Sequence, residues 1–328
     1  MISIIVPAYN AAQTLPACLE ALQRQTQPPD EIIVVDDGSK DQTSQVARAC
    51  GVELFEQTHQ GPAAARNLGL YNARGDIVLF TDADCEPVST WVAEMLYPFS
   101  DPQVVGVKGS YRTYQQERVA RLVQYEFEER YDRLSRLAII DFIDTYSAAF
   151  RSAVLREKGG FDPAFPRADS EDAELSYRLA RSGCRLMFNR QAVVYHRHPS
   201  TWSAYLHRKI RFSYWRMIVY RLHPGKAVRD SYTPQLLKAQ LALMYLVFGL
   251  AGLAFISPPL VWGAIAAFIG LWISAIPFSR RAMQQDHTML IPALVFIVVR
   301  TLAFAIGVAG GIAGMFFFRP ALLRKKEK

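Results

Sequence analysis

Two carboxylates one residue apart, Asp82 and Asp84, follow the apolar run Ile77–Phe80 and Thr81. At the end of a strand such a pair can reach a divalent cation and a ribose together, because Mg²⁺ and Mn²⁺ prefer hard oxygen ligands and keep open positions for phosphate oxygens. An Asp-x-Asp triplet is also frequent by chance, and an acidic pair that caps a loop is the alternative. The spacing alone indicates a candidate metal site and leaves a structural role open.

A second acidic cluster, Asp36-Asp37-Gly38-Ser39, closes the apolar segment Glu31–Val35. A carboxylate in this position can accept hydrogen bonds from a pyrimidine imide or from a ribose hydroxyl. The alternative is an Asx turn, in which the aspartate side chain bonds nearby backbone and ends the strand. These residues by themselves do not separate a nucleoside site from a turn.

A third acidic pair, Glu171-Asp172, begins a predicted helix that runs to Ser182. Negative residues in a first turn are favourable with the helix dipole, which is a purely structural explanation. Near an Asp-x-Asp site a carboxylate also has a chemical use, since an acceptor hydroxyl must lose its proton as it attacks. A positioned carboxylate accelerates such a step by on the order of a hundredfold. The pair therefore contains a candidate general base.

Short apolar strands alternate with helical segments in the first half of the chain. Strands are predicted at Ile2–Val6, Glu31–Val35, Val52–Phe55, Ile77–Phe80 and Val104–Val107, and helices at Ala63–Asn72, Trp91–Leu96, Arg118–Leu137 and Glu171–Ser182. This alternation indicates an α/β domain with a mostly parallel sheet covered on both faces. In such sheets ligands bind at the carboxyl ends of the strands, which is where the polar clusters after Val6, Val35 and Phe80 fall.

Six motifs follow one another in the first two thirds of the chain: Val6-Pro7-Ala8-Tyr9-Asn10, Val35-Asp36-Asp37-Gly38-Ser39, Gly61 through Arg66-Asn67, Thr81-Asp82-Ala83-Asp84, Gly159-Gly160-Phe161-Asp162 and Glu171-Asp172. Each is common alone, but their order and spacing together strongly resemble the family-2 inverting glycosyltransferases. The resemblance runs from Met1 to about His198. It implies the GT-A fold, which is a Rossmann-like α/β domain, a nucleotide-sugar donor, and Mg²⁺ or Mn²⁺ as cofactor.

The resemblance also implies roles for individual residues. The nucleotide sugar would be bound by Pro7, Ala8, Tyr9, Asp37, Arg66, Asp82 and Ala83, with Pro7, Tyr9 and Asp37 at the nucleobase. Asp84 would bind the metal, and Asp172 would be the general base, with Glu171 helping to position the acceptor. His196 is placed as a further contact to metal or phosphate, although a lone histidine at a strand end also has a structural explanation.

The processive members of this family carry a Q-x-x-R-W motif near the membrane, and the sequence departs from it. The nearest match is Arg208-Lys209-Ile210-Arg211-Phe212, which keeps only the central arginine. This departure argues against a polymer-extruding synthase, as does the shortage of transmembrane segments for a channel. Arg208 and Arg211 can still contact a diphosphate or a lipid phosphate.

Charge and hydropathy are unevenly distributed along the 328 residues. The whole chain has a net charge of +7 and a mean hydropathy of +0.05. These values combine an acidic first part with an apolar and basic second part. The aromatic and basic stretch 200–234 is predicted to be an amphipathic helix in the membrane interface, with an ordinary surface helix as the alternative. Basic residues beside apolar segments fit anionic lipid headgroups better than nucleic acid, so no nucleic-acid partner is expected.

Residues 235–328 are predicted to form a transmembrane region. The segments 236–256 and 260–278 are each long enough to cross about 30 Å of hydrocarbon. Ser257, Pro258 and Pro259 link them into a hairpin. If the catalytic domain is inside, Arg280 and Arg281 return to the cytosol, as the positive-inside rule prefers.

The last apolar segment, 289–318, has two possible topologies. A single span would place the basic tail outside, and Arg300 in its middle would need a partner. A re-entrant bend at Gly307, Gly310 and Gly311 would bring the tail back. The sequence leaves both open.

The first 199 residues are predicted to form a cytosolic catalytic domain. Met1 runs directly into a strand with no secretory segment, and the four cysteines show no paired or metal-type spacing, which indicates reduced thiols. The expected protein is an integral protein of a bacterial-type inner membrane with its catalytic domain in the cytoplasm.

These features together predict a metal-dependent inverting hexosyltransferase. It would move a sugar from a UDP or GDP sugar to a lipid-linked or membrane-embedded acceptor at the cytoplasmic face, in glycolipid or polysaccharide-precursor synthesis. A processive polysaccharide synthase subunit and a polyprenyl-phosphate glycosyltransferase are the alternatives. A nicotinamide enzyme would need G-x-G-x-x-G after a strand, and a nucleotidyltransferase would need a Gly-rich basic loop that Ala8–Ala12 lacks.

Overall fold

The computed structural model describes residues 1–165 and 170–315, which form two compact units. The first unit comprises residues 1–114 and 129–197, and the described part of the second comprises residues 115–128 and 198–315. The first unit is an α/β domain and the second is helical. The domain boundaries placed after residues 199 and 234 stay predictions.

An eight-stranded mixed sheet forms the centre of the first unit. Its strands are β1 (Ile2–Ala8), β2 (Glu31–Asp36), β3 (Glu53–Glu56), β4 (Ile77–Thr81), β5 (Cys85–Pro87), β6 (Val104–Arg112), β7 (Ser147–Arg151) and β8 (Arg185–His196), in the order β3-β2-β1-β4-β7-β6-β8-β5. Strands β1 to β4 pair in parallel, as do β6 and β8. Strand β7 runs antiparallel between β4 and β6, and β5 pairs antiparallel with β8.

The parallel half of the sheet follows from its sequence. Its central strands are almost continuous runs of β-branched and apolar residues, and Ile4, Ile33 and Leu79 are fully buried, as expected for strands covered on both faces. The helices of this part of the chain are α1 (Leu15–Gln23), α2 (Thr43–Ala49), α3 (Pro62–Asn72), α4 (Trp91–Leu96), α5 (Arg118–Leu134), α6 (Ser152–Glu157) and α7 (Glu171–Arg181). The predicted α/β fold class is confirmed, and the five predicted strands are present; four differ by at most two residues at an end, whereas β6 continues from the predicted end at Val107 to Arg112.

Three strands, β5, β7 and β8, were not predicted from the sequence. Strand β7 has the sequence Ser-Ala-Ala-Phe-Arg, which carries no β-branched residue, yet four of its five positions are buried. Strand β8 mixes polar and apolar residues without alternation. These segments form strands because they pair with neighbouring strands of the sheet. The strand propensity of a single segment does not contain this information.

The second unit contains five further helices, α8 (Trp202–Leu222), α9 (Pro224–Val228), α10 (Gln235–Leu253), α11 (Leu260–Gln285) and α12 (Leu290–Gly314). In the described part of the chain three helices are long and apolar enough to cross a membrane: Gln235–Leu253, Leu260–Gln285 and His287–Gly314. In the third of these helices, half of the most apolar 18-residue stretch is buried within the protein. The corresponding shares are 17% in the first helix and 22% in the second. The third helix is therefore the most enclosed of the three.

Helix α12 is continuous through Gly307, Gly310 and Gly311, so the re-entrant bend considered at these glycines is wrong. The glycines instead permit a close approach to α8. A Cβ on Gly307 would lie 2.2 Å from the backbone oxygen of Ile210, and one on Gly311 would lie 2.6 Å from that of Tyr214. Residues 316–318 of the predicted third segment lie outside the described residues.

The buried charge in α12, Arg300, has polar partners inside the second unit. It donates a hydrogen bond of 2.8 Å to Gln240 of α10 and lies 3.8 Å from Glu126. Glu126 also accepts hydrogen bonds from Lys209 at 2.9 Å and from the Tyr205 hydroxyl at 3.3 Å. Since an unpaired charge in an apolar bundle would cost several kcal/mol, this network explains how the helix tolerates an arginine.

Candidate active site

A cavity of about 800 Å³ opens at the carboxyl ends of β1, β2 and β4. Because these strands are parallel neighbours, the segments that follow them meet at one edge of the sheet. The cavity is lined by Pro7, Ala8, Tyr9, Asn10, Ala11, Thr14, Asp37, His59, Pro62, Ala65, Arg66, Asp82, Ala83 and Asp84. Every residue predicted to bind the nucleotide sugar is among them, and so is the predicted metal ligand Asp84.

The end of β1 presents an aromatic ring to this cavity. Tyr9 follows Pro7 and Ala8 and is 44% exposed, although β1 itself is buried. Its ring stacks on the imidazole of His59, with 4.2 Å between the ring centroids and 27° between the planes. Asn10 has a φ of 50°, which turns the chain away from the sheet directly after Tyr9. A flat, half-exposed surface results, of the kind on which a planar ring can stack.

Asp37 lies beneath this aromatic pair and is almost completely buried. Its carboxylate accepts hydrogen bonds from the backbone amides of Gln60 and Gly61, both at 2.8 Å, and from the Gln57 side chain at 2.6 Å. Nδ1 of His59 lies 2.9 Å from its Oδ2 atom. Asp37 therefore fixes the loop 57–61 against the end of β2.

Gly38 makes the close approach of this loop possible. It has a φ of +75°, and a Cβ at this position would lie 2.7 Å from the backbone nitrogen of His59. A local side-chain-to-backbone hydrogen bond is also present, but it belongs to Asp36, whose Oδ1 accepts from the amide of Ser39, three residues on, at 2.9 Å. The two adjacent aspartates thus hold different segments.

Arg66 joins two of the predicted acidic groups. It lies on α3, is buried, and donates from Nη1 to Glu171 at 2.6 Å and from Nη2 to Asp82 at 3.1 Å. Its guanidinium lies over the ring of Phe161, 5.7 Å from the centroid. Asn67 holds Phe161 in place through two hydrogen bonds of 2.8 Å to its backbone. The Gly160-Phe161 part of the fifth motif therefore supports Arg66.

Burial dominates the electrostatics of Glu171. The pKa of its carboxyl group is raised to about 7, chiefly because the group is removed from solvent; the charge of Arg66 opposes this rise and the charge of Asp172 adds to it. Glu171 is predicted from the sequence to position the acceptor. In the structure its side chain is only 2% exposed and holds Arg66, and the acceptor role stays a prediction.

A group of possible metal ligands surrounds Asp84. Carboxylate oxygens of Asp82 and Asp84 and the sulfur of Cys85 lie within 4.8 Å of one another. Nε2 of His196 lies 3.3 Å from Oδ2 of Asp84. Strand pairing explains this proximity, because Cys85 of β5 stands directly opposite His196 of β8.

Oxygen and nitrogen are the better ligands in this group. Burial raises the pKa of the Cys85 thiol well above its usual range, and the charges of Asp82 and Asp84 raise it further. A protonated thiol binds metals poorly, whereas carboxylates and imidazole suit Mg²⁺ or Mn²⁺. The His196 ring is held by stacking on Tyr111, with 4.7 Å between the centroids.

The remaining predicted site residues do not line the cavity. Asp172 is half-buried in the first turn of α7, next to Glu171, and its Oδ1 accepts a hydrogen bond from the Ala173 amide at 2.7 Å. Arg208 and Arg211 are exposed on α8 in the second unit. The structure thus brings together the residues predicted to bind the donor and the metal, does not place these three among them, and leaves the roles of all these residues as predictions.

Sequence reasoning missed two residues of the site, His59 and Cys85. His59 lies in a loop and belongs to none of the six motifs, so no local pattern marks it. Cys85 directly follows the Asp-x-Asp triplet, and its adjacency was the available signal. Both join the site through contacts that only the folded chain creates.

Comparison with known proteins agrees with the fold. Residues 3–158 match the family described as Glycosyl transferase family 2. The pre-mycofactocin glycosyltransferase of Mycobacterium tuberculosis is 30% identical over 226 residues, which cover 63% of this chain and 45% of the relative. Glycosyltransferase AglE of Haloferax volcanii is 30% identical over 210 residues, covering 60% of this chain and 66% of the relative. The chain therefore matches about half to two thirds of the length of these relatives.

Among solved structures, a mannosyltransferase of Pyrobaculum calidifontis in complex with GDP-Man and Mn²⁺ has a similar fold. The two superpose with a TM-score of 0.63 and 22% identity, covering 95% of this chain and 86% of the mannosyltransferase. At this identity the likeness concerns the fold. Taken with the family match, it shows that the first part of this chain contains a Glycosyl transferase family 2 domain with a GT-A-like fold.

Proposed function

We propose that this chain is a metal-dependent inverting glycosyltransferase that transfers a sugar from a nucleoside diphosphate to a lipid-linked or membrane-embedded acceptor. The observation that carries the proposal is the convergence of Tyr9, Asp37, Arg66 and the Asp82–Asp84 triplet on one cavity of about 800 Å³. Such a cavity suits a nucleotide-sugar donor in size. It combines a stacking surface, carboxylates and a cation, which are the groups that a nucleoside, a metal and a diphosphate require.

The residues around Asp84 fit a divalent cation. Asp84 and His196 would hold it, with Asp82 alongside, because their ligand atoms already lie close together. Bound Mg²⁺ or Mn²⁺ would neutralise the charge that develops on the departing nucleoside diphosphate. The mannosyltransferase with the similar fold was solved with Mn²⁺, which supports a cation of this class.

Arg66 would bind the donor diphosphate. Its ion pairs with Asp82 and Glu171 restrict its rotamers in the cavity wall. A cation held in place before the reaction stabilises developing negative charge without reorganising, and this form of electrostatic stabilisation is usually a large part of catalysis. The buried Nε atom of Arg66 has no hydrogen-bond partner among the described residues.

Asp172 would act as the general base. As the acceptor hydroxyl attacks the anomeric carbon, its proton passes to the Asp172 carboxylate, the new glycosidic bond forms, and the bond to the diphosphate oxygen breaks. Attack from the side opposite the leaving group inverts the anomeric configuration. Glu171, which holds Arg66, would link the donor side of the site to the helix that carries the base.

The acceptor would come from the membrane. The chain has three helices able to cross a bilayer in its described part, and Arg208 and Arg211 are exposed on the helix that precedes them. These two arginines would contact a diphosphate or lipid phosphate. A cytoplasmic catalytic domain would supply access to nucleotide sugars, which supports that orientation.

Thermal unfolding of the purified full-length protein tests the donor site. UDP or GDP with Mn²⁺ is expected to stabilise the wild type, by about 2.7 kcal/mol at a ligand concentration a hundredfold above Kd. Asp84→Asn should abolish the part of this stabilisation that depends on Mn²⁺. Glu86→Gln, which removes the same charge at the neighbouring exposed position, is the matched control. Absence of any metal-dependent effect of either nucleotide on the wild type would refute the proposed function.

A further inference from the structure

Four donor groups surround the carboxylate of Asp37 in this structure. A carboxylate has about four positions at which it can accept a hydrogen bond. Oδ1 accepts hydrogen bonds from Nε2 of Gln57 and the amide of Gln60, and Oδ2 accepts one from the amide of Gly61. Nδ1 of His59 covers the fourth position, because it lies 2.9 Å from Oδ2 while its hydrogen bond goes to the backbone oxygen of Asp37 at 3.2 Å. A nucleobase that bonds to Asp37 must therefore displace one of these four groups.

Of the four donors, His59 is the one best placed to leave. The amides of Gln60 and Gly61 are part of the backbone that leads into α3, so they move only with the loop. The His59 side chain is 53% exposed and lies on the wall of the cavity. Its ring can rotate into solvent without disturbing the buried sheet.

The position of the His59 ring also blocks Tyr9. The two ring centroids are 4.2 Å apart, which is ordinary stacking distance and leaves no room for a third ring between them. A base can stack on this face of Tyr9 only after the imidazole has moved. Displacement of one side chain would thus free both a stacking surface and an acceptor atom.

The imidazole of His59 stacks on Tyr9 and brings a ring nitrogen to 2.9 Å from the Asp37 carboxylate, so it fills the two positions that a nucleobase would take there. We propose that His59 is a placeholder for the base of the donor nucleotide. On binding, the base takes the place of the imidazole on Tyr9, and its ring N–H takes the place of Nδ1 beside Oδ2 of Asp37. This inference rests on the proposed function and adds the means by which the base is selected.

The position that the His59 ring leaves determines which bases fit. Its departure frees one acceptor position on Oδ2, while Oδ1 keeps Gln57 and the Gln60 amide. Uracil and thymine offer one imide N–H and match this position. Cytosine and adenine have no ring N–H on their pairing edge, and guanine presents two adjacent donors where one acceptor is free. The site therefore selects a uridine or thymidine diphosphate.

Calorimetric titration of UDP in the presence of Mn²⁺ tests the placeholder with the full-length protein. His59→Ala removes the competing ring, and we expect the Kd for UDP to fall about threefold to tenfold, which corresponds to one net hydrogen bond that no longer has to be broken. His207→Ala, at an exposed position of α8, should leave the Kd unchanged. A Kd that rises or stays constant in His59→Ala would overturn the inference, because the ring would then hold the base or lie away from it.

Other nucleotides test the selection by Asp37. Wild type should bind UDP more tightly than CDP or GDP. His59→Ala should lower the Kd for UDP and the Kd for CDP by the same factor, so that the preference for UDP over CDP persists. CDP or GDP that binds as tightly as UDP would contradict the selection. If wild type binds UDP but His59→Ala does not lower the Kd for UDP, the placeholder role of His59 is wrong and the proposed function still holds. If wild type binds none of these nucleotides with Mn²⁺, the proposed function fails as well.

Discussion

Two adjacent carboxylates, Glu171 and Asp172, occupy different environments although they are neighbours in the sequence. Glu171 is almost fully buried and paired with Arg66, whereas Asp172 is half-buried in the first turn of the same helix. Environments that differ in this way give carboxylates different chemical tasks. Glu171 holds the guanidinium of Arg66, and the more accessible Asp172 is the one that we propose as the general base.

Replacement of the proposed base tests this division at the residue scale. Asp172→Asn should lower turnover with hydroxyl acceptors by about 10²- to 10⁴-fold, since general base catalysis contributes roughly that factor. With a polyprenyl phosphate acceptor the loss should be much smaller, because a phosphate oxygen is already ionised. Steady-state kcat with both acceptor classes is the measurement, and Glu157→Gln at an exposed position of α6 is the control. Full activity of Asp172→Asn toward every hydroxyl acceptor would exclude the base assignment.

At the scale of elements, the packing of α8 against α12 depends on individual glycines. Tyr205 near the start of α8 packs on Phe296, and Tyr214 further along α8 approaches Gly311 further along α12. The two helices therefore run in the same general direction. Small residues at such an interface let the two backbones approach closely, which improves the van der Waals packing between helices. The interfacial placement of residues 200–234 stays a prediction.

A pair of alanine substitutions measures this contact. A Cβ at Gly307 would lie 2.0 Å from Oγ of Ser213 and 2.2 Å from the backbone oxygen of Ile210, so Gly307→Ala must separate the helices. We expect a loss of about 1 to 3 kcal/mol in the free energy of unfolding in detergent, as for other overpacked contacts. At Gly310 the nearest atom is 3.6 Å from a Cβ, so Gly310→Ala should be neutral or slightly stabilising. Equal effects of the two substitutions would show that the helices do not pack in this way.

At the scale of the whole molecule, three apolar helices in the described part of the chain indicate association with a membrane. Helices α10 and α11 are joined by the turn 254–259 and are exposed over most of their apolar surface. Arg280 and Arg281 near the end of α11 favour a cytoplasmic position for that end. The turn between the two helices would then face the opposite side of the membrane.

Cysteine labelling tests this orientation. Ser257→Cys should react with a membrane-impermeant maleimide in intact cells, whereas His287→Cys should react only after the membrane is permeabilised. Wild type is the background control, because Cys18 and Cys85 are buried and Cys50 and Cys184 are half-buried in the catalytic unit. The opposite pattern of labelling would place the catalytic unit outside the cytoplasm and contradict the proposed access to nucleotide sugars.

The sequence by itself determined the elements whose signals are local. Strands β1, β2 and β4 are short β-branched runs, and the apolar helices are long, so composition and periodicity predicted both. Because parallel strands end at one edge of a sheet, the acidic residues that follow them could be placed together before any contact was known. The donor and metal residues were accessible to sequence reasoning for this reason.

Only the tertiary structure decided the contacts between distant segments. Arg66 and Glu171 are 105 positions apart, and their ion pair depends on how α3 and α7 pack. The register of β5 with β8 brings His196 to Asp84, and a loop with no sequence signal lays His59 on Tyr9. Such contacts follow from long-range pairing and packing, whose free energy no single segment of the chain encodes.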